Sequence, residues 1–251
     1  MFTDEIKLRW AALLTNPDWY LAILPELEEL RKQWGGKSDA EQEPLKIKLY
    51  DFFAEHLVAG DIALDNNPAN ADAERKPIDT IIIHHTSNPP GMTKELLSGM
   101  ELIRLYAPEF AAPKYEADKK MKGRPICSGH FRDGHQVFWP YHWFVRRDGT
   151  AERLLNDDEI GWQAGDWDIN CRSVAICFDG DFENSRPSDI ELSAAASIIK
   201  DHYPQVAREC IFGHREINLK TTCPSNLFLS DSPRRGWKDD LLELLFRSNP
   251  A

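Results

Sequence analysis

Ile81-Ile82-Ile83, running into His84-His85-Thr86, constrains this chain more than any other stretch. Three consecutive β-branched apolar residues offer no polar face to water, so the segment reads as a strand buried on both faces. It delivers two imidazoles to the point where the strand stops. A tandem histidine in that place is either a hydrogen-bonded core pair or a source of a metal ligand or base. A second strand pattern, Cys210-Ile211-Phe212, passes through Gly213 into His214, and Cys223 follows nine residues later. His, His and Cys on three separated segments can meet only if the fold brings them together. If they do, they form a three-ligand nitrogen and sulfur set suited to one zinc ion.

The 251 residues suffice for one large domain, or for a domain of about 150 residues with an accessory segment. A net charge of −11 argues against nucleic-acid binding, which needs clustered Lys and Arg against phosphates. The sequence has no apolar run long enough to span a bilayer. Charges occupy the N-terminal positions where an export signal needs its apolar centre, so the expected location is cytoplasmic, or outside after lysis if the chain is phage-encoded. Five irregularly spaced cysteines do not make a disulfide framework. Reduced thiols leave Cys223 available as a thiolate, while Cys177 and Cys210 sit in apolar strand patterns as small core residues.

Residues 1–75 are expected to form a helical N-terminal extension. Asn16-Pro17 is a cap followed by a first-turn proline, and Trp19, Leu21, Leu24, Leu27 and Leu30 recur at helical spacing. Gly35-Gly36 stops that helix, a further helical pattern runs from about Glu41 to Val58, and the turn formers from Asp65 to Ala71 mark a linker. This block is either a bundle packed on the following domain or a separate binding module. Residues 76–251 make the second domain. In it, Thr93 can cap a helix to about Tyr106, and residues 107–138 form a poorly periodic insertion carrying His130 and His135, read as ordinary loop histidines. Tyr141 to Val145 enters a tight Asp148-Gly149 turn and Ala151 to Leu155 returns antiparallel. His142 points away from Tyr141 because strand side chains alternate. Ile160 to Trp167 is a Gly and Trp loop in which Trp162 lines a groove or fills the core. Ser173 to Phe178 is another buried strand, and Ser188 with Glu191 forms a capping box for a helix that Pro204 ends. A final helix lies around Trp237 to Phe246. Strands interleaved with helices, one pair antiparallel, predict an α/β fold: a mixed central sheet flanked by helices.

In this order the segments Ile81 to Thr86, Tyr141 to Gly149, Gly161-Trp-Gln-Ala-Gly165, Asn170 with Ser173 to Ile176, Gly213-His-Arg-Glu216 and Thr221-Thr-Cys-Pro224 resemble the zinc amidases that cleave N-acetylmuramoyl-L-alanine bonds, a group that includes phage-type amidases and peptidoglycan recognition proteins. The resemblance covers about residues 77–228. It implies zinc ligands at His84, His214 and Cys223, a tyrosine facing the reacting water at Tyr141, and Thr221 near the developing oxyanion. Gln163 stands where the family commonly has His. Three protein ligands leave a fourth tetrahedral position for water, and no Cys-x-x-Cys unit is present to close a structural site. His85, Trp162 and Asn170 are candidates for substrate contact, though His85 could also support a ligand or sit in the core. The implied substrate is peptidoglycan or a muropeptide. A module of the same fold that binds without turnover, and an amidase for a different substrate whose groove the insertion reshapes, are the alternatives; the sequence does not fix the oligomeric state.

Overall fold

The computed structural model describes residues 19–33, 36–65, 70–111, 124–132 and 135–246. The predicted Asn16-Pro17 cap, Gly35, part of the predicted linker and part of the 107–138 stretch lie outside these residues. The chain divides into two compact units. One consists of the described residues up to Ala73 together with Thr93–Trp139; the other consists of Glu74–Met92 and the residues from Pro140 onward. Among the described residues no helix is long and apolar enough to cross a membrane.

In the first unit, α1 (Trp19–Lys32) and α2 (Asp39–Ala59) precede α3 (Lys94–Glu101). The Ser38 and Glu41 side chains cap α2 at its start, and Gly60, at φ 78°, ends it in the left-handed conformation glycine adopts without strain. The helix predicted to run to Tyr106 is α-helical only through Glu101 and continues as a π-helix over Leu102–Ala111. Trp19, Ile23, Leu27, Phe52, Phe53, Leu102, Tyr106 and Phe138 share one apolar core. Gly99 admits the chain of α2: a Cβ there would stand 2.1 Å from the Tyr50 carbonyl oxygen. The two-residue strands β2 (Phe131–Arg132) and β3 (His135–Gln136) form a small antiparallel pair.

The second unit holds a five-stranded sheet. Its strands are β1 (Thr80–His85), β4 (Trp143–Val145), β5 (Ala151–Arg153), β6 (Ser173–Phe178) and β7 (Ile211–Gly213), in the order β5-β4-β6-β1-β7. β1 runs parallel to β6 and β7, β4 runs parallel to β6, and β4 and β5 are the antiparallel hairpin. The predicted mixed α/β sheet is therefore present. β7 begins one residue later than its apolar pattern, because Arg208–Cys210 closes a 3₁₀ turn first. Every residue of β1 is buried, as its sequence requires. Ile81 and Ile83 pack with Val174, Ile176 and Phe178 against α5 (Asp189–His202) and α7 (Trp237–Phe246), whose contributions include Leu192, Ile199, Trp237 and Leu241. Alternation sends Ile82 and His84 to the opposite face. The Ser188 and Glu191 capping box opens α5 as its sequence predicts.

Glu101, 4% exposed at the end of α3, is a buried carboxylate: burial pushes its pKa up to about 8, and nearby Arg104 only partly opposes this. Below its ordinary value of 4.5 the group is protonated folded or unfolded. Between 4.5 and about 8 the unfolded chain gives up a proton that the fold retains, so stability falls as pH rises, by up to about 1.4 kcal/mol per unit, and levels off above that window. Urea unfolding at pH 5, 6.5 and 8 is expected to show this decline in the wild type and a flatter profile in Glu101→Gln.

Candidate metal centre

Parallel pairing sets the site. Ile83 of β1 lies opposite Gly213 of β7, so the residues that follow, His84 and His214, leave neighbouring strands at the same level. Sites at the carboxyl ends of parallel strands arise in this way. The two imidazole rings are 4.7 Å apart at their centres. His214 opens a short helix, α6 (His214–Ile217), whose start is fixed by the Glu216 carboxylate accepting the Gly213 N–H at 2.8 Å, and Lys238 in turn donates to Glu216.

Cys223 arrives on a loop that the protein stitches down. The Arg215 N–H donates to the Cys223 carbonyl at 2.7 Å and its guanidinium to the Ser225 carbonyl at 2.9 Å. Glu183 accepts from the Thr222 hydroxyl at 2.8 Å and from the Asn226 side chain at 3.0 Å. Gly213 makes the close approach possible: a Cβ there would lie 2.5 Å from the Phe228 ring and 2.7 Å from Cδ of Pro224. The outcome is that Nδ1 of His84 lies 3.6 Å from Sγ of Cys223, and one ligand atom from each of His84, His214 and Cys223 falls within 4.8 Å of the others. Among the described residues these three are the one group of His, Cys, Asp and Glu side chains so arranged.

The donor set fits zinc. Tetrahedral coordination at ordinary Zn–N and Zn–S lengths places a nitrogen and a sulfur ligand roughly 3.5 Å apart, and two imidazoles with a thiolate are borderline-soft donors suited to that ion. The observed 3.6 Å separation between His84 and Cys223 needs no rearrangement to accept it.

Tyr141 lies just before β4, its ring centre 5.1 Å from that of His84. His142 departs from it into the core, where Nδ1 accepts the Ala175 N–H at 3.2 Å and Nε2–H donates to the Glu159 carbonyl at 3.0 Å. Burial, aided by the charge of Arg75, holds the His142 pKa well below the ordinary value, so it is a neutral structural imidazole. The Thr221 hydroxyl accepts the Cys223 N–H at 3.1 Å, which leaves its own proton for another acceptor. His85 is buried, with Nδ1 accepting the Phe182 N–H at 2.9 Å. Trp162 is half-buried and rests on Trp167, ring centres 4.7 Å apart. The Asn170 side-chain oxygen accepts the N–H groups of Gln163 and Ala164 at 3.2 and 2.9 Å and so anchors the loop that carries Trp162. Glu183 and Arg215 carried no signal in the sequence as loop anchors. Gln163 was visible only as a substitution within Gly-Trp-Gln-Ala-Gly, and the structure places it against His84.

Residues 74–226 match the family described as N-acetylmuramoyl-L-alanine amidase, and the chain belongs to that family. No curated protein matches it. Among solved structures it is similar to the N-acetylmuramoyl-L-alanine amidase LysC from Clostridium intestinale URNW, at 18% identity, covering 72% of this chain and 94% of that one with a TM-score of 0.44. It is also similar to the Ph2119 endolysin from Thermus scotoductus MAT2119 bacteriophage Ph2119, at 19% identity over 68% of this chain and 86% of that one, TM-score 0.42. A third is Drosophila peptidoglycan recognition protein SD, at 17% identity over 63% and 83%, TM-score 0.42.

Gly213→Ala tests the close approach that seats Cys223. The added methyl has to displace Phe228 or Pro224, and overpacking of this kind costs about 1–3 kcal/mol. The variant is expected to melt earlier than the wild type and to bind zinc more weakly, measured by thermal unfolding and by competition with a chromogenic chelator.

Proposed function

We propose that this protein is an N-acetylmuramoyl-L-alanine amidase, hydrolysing the amide between the lactyl group of N-acetylmuramic acid and the first L-alanine of the stem peptide in peptidoglycan or its fragments. One zinc ion would be held by His84, His214 and Cys223. The observation that carries the reading is the convergence of those three ligand atoms within 4.8 Å of one another at the carboxyl ends of β1 and β7, in a chain of this family. When bound, zinc supplies a Lewis acid that makes water a competent nucleophile near neutral pH.

The chain's own residues supply the rest. Tyr141 presents a phenol beside His84, placed to orient the nucleophile or to donate to the carbonyl oxygen as it gains negative charge. Thr221, its hydroxyl oxygen accepting the Cys223 N–H, keeps its own proton available as a second donor. The Cys223 N–H holds the Thr221 oxygen in place, and a donor fixed in this way needs little reorganisation as charge develops. Trp162, stacked on Trp167, offers an aromatic face for a sugar or peptide group. Asn170 contributes to substrate binding by holding the loop that presents that face. His85 contributes its backbone carbonyl, 4.0 Å from the Cys223 sulfur, while its buried imidazole accepts the Phe182 N–H, out of a substrate's reach.

Incubating the purified protein with muropeptides and following released peptide by mass spectrometry tests the reading. Release that is absent with zinc supplied, or that persists undiminished in His84→Ala, refutes it; tight binding without release marks a recognition module instead. Tyr141→Phe is expected to lower kcat by about a hundredfold or more with a smaller change in KM, the cost of one donor to a developing oxyanion. Chelation of the metal is expected to stop release, and added zinc to restore it.

A further inference from the structure

We propose that Gln163 is a positioning residue that fixes the tautomer of His84, so that Nδ1 and not Nε2 is offered to the metal. The inference rests on the zinc reading above and extends it to a residue outside the ligand set.

Nε2 of His84 lies 2.5 Å from Oε1 of Gln163, while Nδ1 faces the Cys223 sulfur at 3.6 Å. A neutral imidazole carries one proton. Placed on Nδ1, it would block the nitrogen that faces Cys223 and would set the Nε2 lone pair against an amide oxygen. Placed on Nε2, it satisfies that oxygen and leaves Nδ1 open. His84 is 1% exposed and Gln163 7%, so bulk water does not substitute for either partner. The amide itself is held. Gln163 Nε2 donates to the Ser173 hydroxyl at 2.9 Å, which turns Oε1 toward His84. Asn170 grips the backbone of residues 163 and 164, and the helix bearing Asn170, α4 (Trp167–Arg172), is capped by Asp166. Ser173 opens β6 and pairs with Thr80 of β1, so the acceptor and the ligand stand on one rigid sheet. A polar partner behind a metal-binding imidazole orients the ring and raises its basicity.

The test uses the 251-residue chain and two readouts. Zinc affinity, by competition with a chromogenic chelator, is expected to fall about ten- to a hundredfold in Gln163→Met, to be retained or strengthened in Gln163→Glu, which keeps an acceptor, and to weaken severalfold in Ser173→Ala. Long-range proton–nitrogen spectra of the zinc-free protein are expected to show His84 with its proton on Nε2, and a mixture of tautomers in Gln163→Met. Wild-type zinc affinity in Gln163→Met overturns the proposal, as does an equal loss in Gln163→Glu, which would reduce the residue to packing. A wild-type His84 with its proton on Nδ1 overturns it as well. Should Gln163→Met fail to fold, the wild-type tautomer with the Gln163→Glu and Ser173→Ala affinities decides. His84→Ala separates the two readings: unchanged zinc affinity there sinks the metal centre itself, while the tautomer result stands or falls independently.

Discussion

An imidazole almost sealed from water at the end of an apolar strand must find partners for both of its nitrogens inside the protein. His84 is in that position, and the surrounding architecture follows from it. One nitrogen meets the amide of Gln163 and the other meets the thiol of Cys223. The strand that carries the ring lies between β6 and β7 and is buried along its whole length, so the ring cannot swing out to solvent without opening the sheet.

The remaining parts are arranged to support that rigidity. β7 delivers His214 level with His84 because the two strands pair in parallel, with Ile83 opposite Gly213. The Cys223 loop has no strand of its own and depends on hydrogen bonds that Arg215 donates and that the Glu183 carboxylate and the Thr221 hydroxyl accept. They mix backbone–backbone, side chain–backbone and side chain–side chain bonds, which hold an irregular segment in place where no ladder exists. On the other face of β1, Ile81 and Ile83 bury themselves beneath two helices and supply the apolar contact that keeps the sheet together.

Much of this was legible in the sequence, for identifiable reasons. The run Ile81 to Ile83 has one comfortable environment, and it is the one observed. Asp148-Gly149 specifies a hairpin turn, and Gly149 takes the positive φ of 84° that the turn asks for. The Ser188 and Glu191 spacing fixes the start of α5. The helix after Thr93 was harder, since nothing in the pattern from Leu102 to Tyr106 distinguishes an α-helical from a π-helical ladder. The 3₁₀ turn at Arg208–Cys210 was hidden for a similar reason, because apolar character alone does not place the first residue of a strand. The partnership of Gln163 with His84 is a single hydrogen bond across seventy-nine positions, a contact that periodicity cannot register. The role of Glu183 in seating the Cys223 loop is equally non-local.

The bare α-carbon at Gly213 has a consequence for anyone wishing to move this centre into another scaffold. Copying two histidines and a cysteine onto a new sheet would reproduce the donors and miss the clearance that lets the third segment descend, because an aromatic ring and a proline occupy the volume a methyl would need. The transplantable unit is therefore larger than its ligands: it includes a vacancy the size of one carbon atom, together with the ring that fills it.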